Sequence, residues 1–192
     1  MVSSVSIEEQ GQIRNKTAKP LLWVAMAGMT MIFGSLTSAY IVRQADSDWL
    51  AFELPSVYYV STVIIILSSI TLFLADYAAK KDNQKGMKLG LLLTLVLSLA
   101  FVSSQFDAWG QMMDQGLHFS GSGISSSFLY VLTLVHLLHV FGGNITLFVT
   151  TINAYRGKYS STNKLGIELA SWYWHYLTAI WMFLLLFLLY IQ

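Results

Sequence analysis

The chain has 192 residues, of which 55% are hydrophobic and only 11% are charged, and its mean hydropathy is +0.59. This charged fraction is about half that of an ordinary soluble domain, which excludes a typical water-soluble fold. The formal charge of +1 gives no indication of nucleic-acid binding, and the absence of cysteine excludes disulfides, thiolate nucleophiles and iron–sulfur clusters. We expect residues 1–192 to form a single membrane domain.

Five continuous apolar segments are long enough to cross a bilayer as helices. Because a helix rises 1.5 Å per residue, about 20 residues span a hydrocarbon core of ~30 Å. The segments lack the alternation of membrane β-strands, and a helix satisfies its backbone hydrogen bonds within itself. The sequence therefore predicts an all-α polytopic membrane protein, with Pro20 and Pro55 preceding the first two helices. The predicted helices cover about residues 21–42, 57–77, 87–106, 128–152 and 170–191.

The basic residues predict how these helices lie in the membrane. Cytoplasmic loops of membrane proteins carry an excess of Lys and Arg. When the loops are assigned to alternate sides, ten of the eleven basic residues fall on the side of the N-terminus and only Arg43 falls on the other. We therefore expect residues 1–19 to be a cytoplasmic tail and Gln192 to lie on the opposite side.

Four polar residues in or beside the last two helices are the main candidates for chemistry. His136 and His139 lie three residues apart on one face of the fourth predicted helix, where they could ligate a metal or haem. His175 lies at a different depth on the fifth helix, and the first three helices have no histidine, which favours buried hydrogen bonding over ligation. Glu168 lies near a helix N-terminus, where a carboxylate is favoured. Both interpretations stay open from the residues alone.

Small residues predict close contacts between helices. Gly34 and Ser38 lie four residues apart on the first helix, and Gly142 and Gly143 are adjacent on the fourth. Membrane helices approach one another closely where such residues meet. The tryptophans lie mostly near predicted helix ends, which is typical of the aromatic belt at a membrane interface.

The last helix carries the most specific resemblance to a known family. Glu168 is followed by Tyr173-Trp174-His175, and Trp181 comes six residues later. This pattern resembles the ending of cytochrome c oxidase subunit III. Earlier segments resemble the same family in the same order, and the likeness extends over residues 21–190. The earlier segments that carry the likeness are Phe33 to Tyr40 with Arg43, Leu54-Pro55, Ser68-Ser69, Gln105 with Trp109 and Gly116, and Phe128 to Val140 with its two histidines.

The resemblance implies a subunit without a redox centre in a bacterial haem-copper oxidase. It implies a helix bundle with a V-shaped cleft that holds structural phospholipids, docked beside catalytic subunit I, which carries haem and copper. The expected role is to stabilise subunit I and to support its proton uptake, while the complex passes electrons from cytochrome c to oxygen and pumps protons. Other subunits decide between cytochrome c and quinol as donor. The chain is then a compact form, without the two N-terminal helices of longer members, in the bacterial inner membrane.

Two groups of residues are expected to carry this role, and none of them is catalytic or binds a metal. The first makes structural polar contacts between the fourth and fifth helices and comprises His136, His139, Glu168 and His175. The second contacts other subunits or lipid and comprises Gly34, Ser38, Tyr40, Arg43, Trp174 and Trp181. The alternative from a different class is a free-standing membrane haem or metal protein that uses His136, His139 and His175.

Two departures from the family pattern limit what the resemblance implies. Family members commonly carry a membrane-embedded glutamate where this chain has Gly28, so a proton-buffering role for that carboxylate does not transfer. An aspartate often follows the Trp-His run, and here that position is Thr178. Leu134 and Leu137 replace the glycines that flank the first histidine of the family motif, a change that affects packing more than chemistry.

Overall fold

The computed structural model describes residues 7–44, 54–119, 123–160 and 164–191, and for residues 7–15 the backbone alone. The described residues form five α-helices connected by turns, and each helix is long and apolar enough to cross a membrane. This confirms the prediction of an all-α protein with five spanning helices. The helices are α1 (Ile7–Arg43), α2 (Val57–Lys80), α3 (Gln84–Asp114), α4 (Ile124–Tyr155) and α5 (Leu165–Ile191).

Every helix extends beyond its apolar segment at one or both ends. The largest difference is in α1, whose backbone is already helical at Ile7, where a polar tail was expected; residues 1–6 lie outside the described part. Pro20 lies inside α1, so the prediction that it precedes this helix was wrong. Hydropathy identifies only the residues whose side chains favour the hydrocarbon core. Polar residues with good helix propensity extend the same helix beyond the core, with the same backbone hydrogen bonds.

Helices α2 to α5 form a ring of four. The contact between α2 and α3 is the most extensive, α3 packs on α4, α4 packs on α5, and α5 closes the ring against α2. In the part of the chain that the structure describes, α1 lies outside this ring and contacts only α4 and α5. The fold is therefore a four-helix bundle with one peripheral helix.

Polar side chains join the ring helices in the middle of the bundle. Thr71 and Thr94 are hydrogen-bonded at 2.9 Å between α2 and α3, and the Ser98 hydroxyl donates to the Asn144 side-chain oxygen between α3 and α4. Lipid tails offer no hydrogen-bond donor or acceptor, so small hydroxyl side chains make effective contacts between membrane helices. These pairs fix the register of neighbouring helices.

Helix α1 buries one narrow face, which includes Met26, Phe33 and Tyr40. Its other faces carry exposed apolar side chains such as Val24 and Met31. Polar contacts at both ends hold α1 parallel to α5. The Lys19 ammonium lies 2.9 Å from the Glu168 carboxylate at the end that also carries Lys80 and Lys164, which we call the basic end. At the other end, the Gln44 amide donates to the Ile191 carbonyl at 2.7 Å.

Candidate functional site

The two tryptophans of α5 that the family motif contains both point into the bundle. Trp174 and Trp181 are 0% and 2% exposed, and their seven-residue spacing puts them on one face of the helix. The Nε1–H of Trp174 donates to the Ser68 hydroxyl at 2.9 Å, and that of Trp181 donates to the Thr62 hydroxyl at 2.9 Å. The expectation that these tryptophans contact other subunits or lipid was wrong, because a buried indole N–H needs an acceptor and α2 supplies it.

Tyr40 is also an internal contact. It is 1% exposed, and its ring lies edge-on to Phe128 at 5.9 Å and to Phe187 at 5.4 Å between centroids. Its expected contact with another subunit or lipid is therefore corrected to one that joins α1 to α4 and α5. Gly34 and Ser38, in contrast, are exposed on α1.

A Cβ added at Gly34 would meet nothing within 4 Å, so this part of α1 has room for a neighbour. Arg43 is exposed in the last turn of the same helix. For Gly34, Ser38 and Arg43, contact with another subunit or lipid stays a prediction.

His136 is the most enclosed of the predicted polar residues. It is 0% exposed, and its ring lies among Phe33, Phe101 and Trp181, with centroid distances of 6.1, 6.1 and 5.2 Å. These three neighbours come from α1, α3 and α5, so the imidazole touches three other helices. Neither of its ring nitrogens has a hydrogen-bond partner within the described part of the chain.

His139 lies one turn further along α4 and is half-buried. Its Nδ1 is 2.7 Å from the Val135 carbonyl of the same helix, and its ring lies 5.7 Å from that of Phe33. The contact between α4 and α5 at this level uses the backbone, because the Tyr173 hydroxyl donates to the His139 carbonyl at 3.2 Å.

Glu168 and His175 were predicted to contact the fourth helix, but they contact α1 and α2 instead. Glu168 pairs with Lys19 of α1 at 2.9 Å and with Lys164 at 3.8 Å. His175 Nδ1 lies 2.5 Å from the Ser69 hydroxyl of α2. The prediction of one polar cluster between the fourth and fifth helices is therefore wrong. His175 is adjacent to Trp174, which faces α2, so both side chains lie on the side of α5 that contacts α2.

The geometry gives no support to the alternative of a haem or metal site. His136 and His139 share a face of α4 beside Phe33, but His175 is bonded to Ser69 on α2. Across the described ranges, no group of three or more His, Cys, Asp or Glu side chains is placed to hold a metal ion. A pair of imidazoles alone leaves a tetrahedral or octahedral metal mostly unligated.

The two positions where the family commonly has a carboxylate, Gly28 and Thr178, have different surroundings. Gly28 is exposed on α1, and an added Cβ would meet nothing within 4 Å. Thr178 is buried, and its hydroxyl donates to the Trp174 carbonyl of its own helix at 3.0 Å. The bundle therefore accommodates a threonine at this buried position by a hydrogen bond within α5.

Some polar residues of the interior were not singled out by their sequence. Asp76 lies near the end of α2, yet it is only 8% exposed, and its carboxylate lies 2.6 Å from the Lys80 ammonium. Thr62 and Asn144 accept hydrogen bonds from the neighbouring helices α5 and α3. One signal in the sequence is a shared spacing: Thr62 and Ser69 lie seven residues apart on α2, and Trp174 and Trp181 lie seven residues apart on α5. Both pairs therefore lie on one face of their helix, and these faces meet.

Replacing Glu168 with glutamine should weaken the attachment of α1 at the basic end. Both partners of the Lys19–Glu168 pair are partly solvated, with side-chain exposures of 39% and 20%, so we expect a loss below about 1 kcal/mol. Thermal unfolding in lipid nanodiscs at low and high salt measures this effect, because salt screens such pairs. Asp107→Asn, at an exposed carboxylate of α3, is the control. Equal salt dependence in wild type and E168Q would contradict the prediction.

A family model described as Cytochrome c oxidase subunit III matches residues 50–192 of the chain. This range contains the complete four-helix ring, including His136, Glu168 and both buried tryptophans of α5. Helix α1 precedes the matched range.

Individual relatives have names of the same kind. A "Probable cytochrome c oxidase subunit 3" of Rickettsia bellii is 34% identical over 163 residues, which is 80% of this chain and 56% of the relative. A "Cytochrome c oxidase subunit 3" of Alkalihalophilus pseudofirmus is 27% identical over 184 residues, 92% of this chain and 87% of the relative. A "Probable quinol oxidase subunit 3" of Staphylococcus saprophyticus is 26% identical, with 84% and 83% covered.

Length separates these relatives into two groups. The chain spans about half the length of the Rickettsia relatives that it matches, but most of the length of the other two. With five spanning helices and bacterial relatives of this kind, the chain is a multi-pass protein of a bacterial inner membrane.

Proposed function

Because the chain belongs to the cytochrome c oxidase subunit III family, we propose that it is a non-catalytic subunit of a respiratory haem-copper oxidase. The observation that carries this proposal is the family match over the whole ring of α2 to α5. Haem and copper then belong to partner subunits, which reduce oxygen and pump protons. Relatives are named both as cytochrome c oxidase and as quinol oxidase subunits, which is consistent with other subunits deciding the electron donor.

The proposed role of this chain is to stabilise catalytic subunit I and to support its proton uptake. The interior of the ring supports a scaffold function, because aromatic rings and hydroxyl pairs fill it. Gly34 and Ser38 leave a partner helix room to approach α1. The N-terminus is proposed to be cytoplasmic, since ten of the eleven basic residues then lie on that side.

Purification of the tagged chain in mild detergent tests this function. We expect a haem-copper catalytic subunit to copurify, and the sample to show its haem absorption. The chain separated from its partners is expected to be colourless. A Soret band or a stoichiometric transition metal retained by the separated chain would overturn the proposal, as would purification without any oxidase subunit.

A groove between α1 and α4, with α5 as its floor, is our candidate for the phospholipid site. Two cavities of about 360 and about 320 Å³ adjoin there and share Leu169 in their linings. The first lies at the basic end and is lined by Lys158 and Tyr159, among others. The second is mostly apolar and includes Ala25 and Gly142. A phospholipid has the same division, so its head group is proposed to lie at the basic end and an acyl chain in the apolar part.

Filling this groove should displace the lipid. Ala25→Trp places an indole in the apolar cavity, and we expect the purified protein to retain less phospholipid for each mole of chain. Lipid phosphorus and mass spectrometry of the extracted lipids measure the change. Val24→Trp is the matched control, because Val24 is 70% exposed on another face of the same helix. The same phospholipid content in A25W and wild type would contradict the assignment of this groove.

A further inference from the structure

In the half of the ring away from the basic end, two buried side chains lack any hydrogen-bond partner among the residues that the structure describes. They are Gln105 of α3, which is 1% exposed, and His136 of α4, which is 0% exposed. The amide oxygen and nitrogen of Gln105 and both ring nitrogens of His136 are unpaired. Buried side chains of this kind almost always bond to protein or to ordered water. Four unpaired polar atoms therefore require an explanation.

The contacts between α3 and α4 place these two residues at the same level. One turn before Gln105, the ring of Phe101 lies 6.1 Å from that of His136. One turn after it, the Nε1–H of Trp109 donates to the Thr133 hydroxyl at 3.1 Å. Residues four positions apart share a helix face, so Gln105 lies on the α3 stripe that faces α4 between Thr133 and His136. No direct hydrogen bond joins Gln105 to His136.

The chemistry of the two side chains defines what fits between them. An amide offers two donors and an acceptor, and a neutral imidazole offers one donor and one acceptor. A ligand must therefore both donate and accept, carry no charge, and be small enough for a site closed by Phe33, Phe101 and Trp181. Water meets these conditions, and buried waters in proteins typically bond to two to four polar groups.

We propose that Gln105 and His136 hold an ordered water molecule that bridges α3 and α4 inside the ring. The water replaces the direct hydrogen bond that the two side chains do not make. It gives the His136 imidazole a hydrogen-bond partner in surroundings that otherwise consist of aromatic rings. The site is internal to this chain, and no redox partner or substrate is needed to form it.

A high-resolution cryo-EM map of the membrane complex that contains the chain tests the proposal. We expect a water peak within hydrogen-bonding distance of both the Gln105 amide and the His136 ring. In the Gln105→Leu variant this peak should be lost. The control is Gln111→Leu, an exposed position of the same helix, which should leave the peak in place. A wild-type map without the peak, or with Gln105 bonded directly to His136, would overturn the proposal.

Thermal unfolding provides a second test that needs no map of the variants. Q105L and His136→Phe should each lower the Tm, because each leaves the water and the other side chain with fewer partners. The double variant should lose clearly less than the two losses combined, since it removes both polar groups together. Additive losses would show that the two residues are not coupled and would count against a shared water.

Discussion

Trp181→Ala is expected to reduce the free energy of unfolding by about 3–5 kcal/mol, the usual range for removing a large aromatic side chain from a core. Trp181 lies 5.8 Å from Tyr58, 5.1 Å from Phe101 and 5.2 Å from His136 between ring centroids, and it donates a hydrogen bond to Thr62. Alanine would leave a cavity where α2, α3, α4 and α5 meet. Thermal unfolding in lipid nanodiscs, followed by the helical circular dichroism signal, measures the loss.

Two further variants of α5 separate packing from general effects on the helix. Phe183→Ala removes an aromatic ring that is 47% exposed, and we expect little change in Tm. Trp181→Phe keeps most of the ring packing but loses the N–H that Thr62 accepts, so its loss should lie between those of the other two. Equal losses in W181A and F183A would contradict the central position assigned to Trp181.

The number and type of the helices follow from the sequence, because the bilayer imposes a length and a polarity that single segments can be tested against. Helix ends do not follow in the same way. The residues from Ile7 to Lys19 are mostly polar and lie before the predicted span, yet they continue the same helix α1. Pro20 is the predicted boundary of the first helix, but the helix continues through it.

The inward orientation of the aromatic residues could not be predicted from their position along a helix. Tryptophan near a helix end is typical of a membrane interface, which suits the expected partner or lipid contact of Trp174, but Trp181 lies near the middle of α5. Their true environment depends on Ser68 and Thr62, which lie on a helix more than a hundred residues earlier in the chain. A pattern within one helix does not contain this information.

Two of the predicted polar residues, Glu168 and His175, contact helices other than those expected. Spacing along α5 orders Glu168 and His175 along the helix, whereas the rotation of the helix about its axis decides the partner of each. His175 faces α2 and Glu168 faces α1. The resemblance to the family is the source of the proposed function, which packing alone would not have indicated, because a fold by itself does not define an activity.

Gly90→Val is the second change with a large expected effect, because Gly90 is where α3 approaches α2 most closely among the described glycines. A Cβ at this position would lie 2.8 Å from the Ala75 Cβ, and 3.1 Å from both the Ala75 Cα and the Thr71 carbonyl oxygen. Two of these three atoms belong to the backbone of α2, so the helices must separate. We expect a loss of about 1–3 kcal/mol, as for other overpacked cores, and weakening of the Thr71–Thr94 hydrogen bond.

The close approach itself can be tested by comparison with two other variants. Gly110→Val adds the same side chain to α3 where nothing lies within 4 Å, so it accounts for the change in helix propensity alone. Ala75→Gly removes the Cβ that the new side chain meets, and the G90V/A75G double variant should therefore recover part of the lost Tm. Because the chain has no cysteine, a pair of introduced cysteines with spin labels can report the α2–α3 separation directly. An unchanged separation in G90V, or no recovery in the double variant, would show that steric contact between α2 and α3 is not the cause.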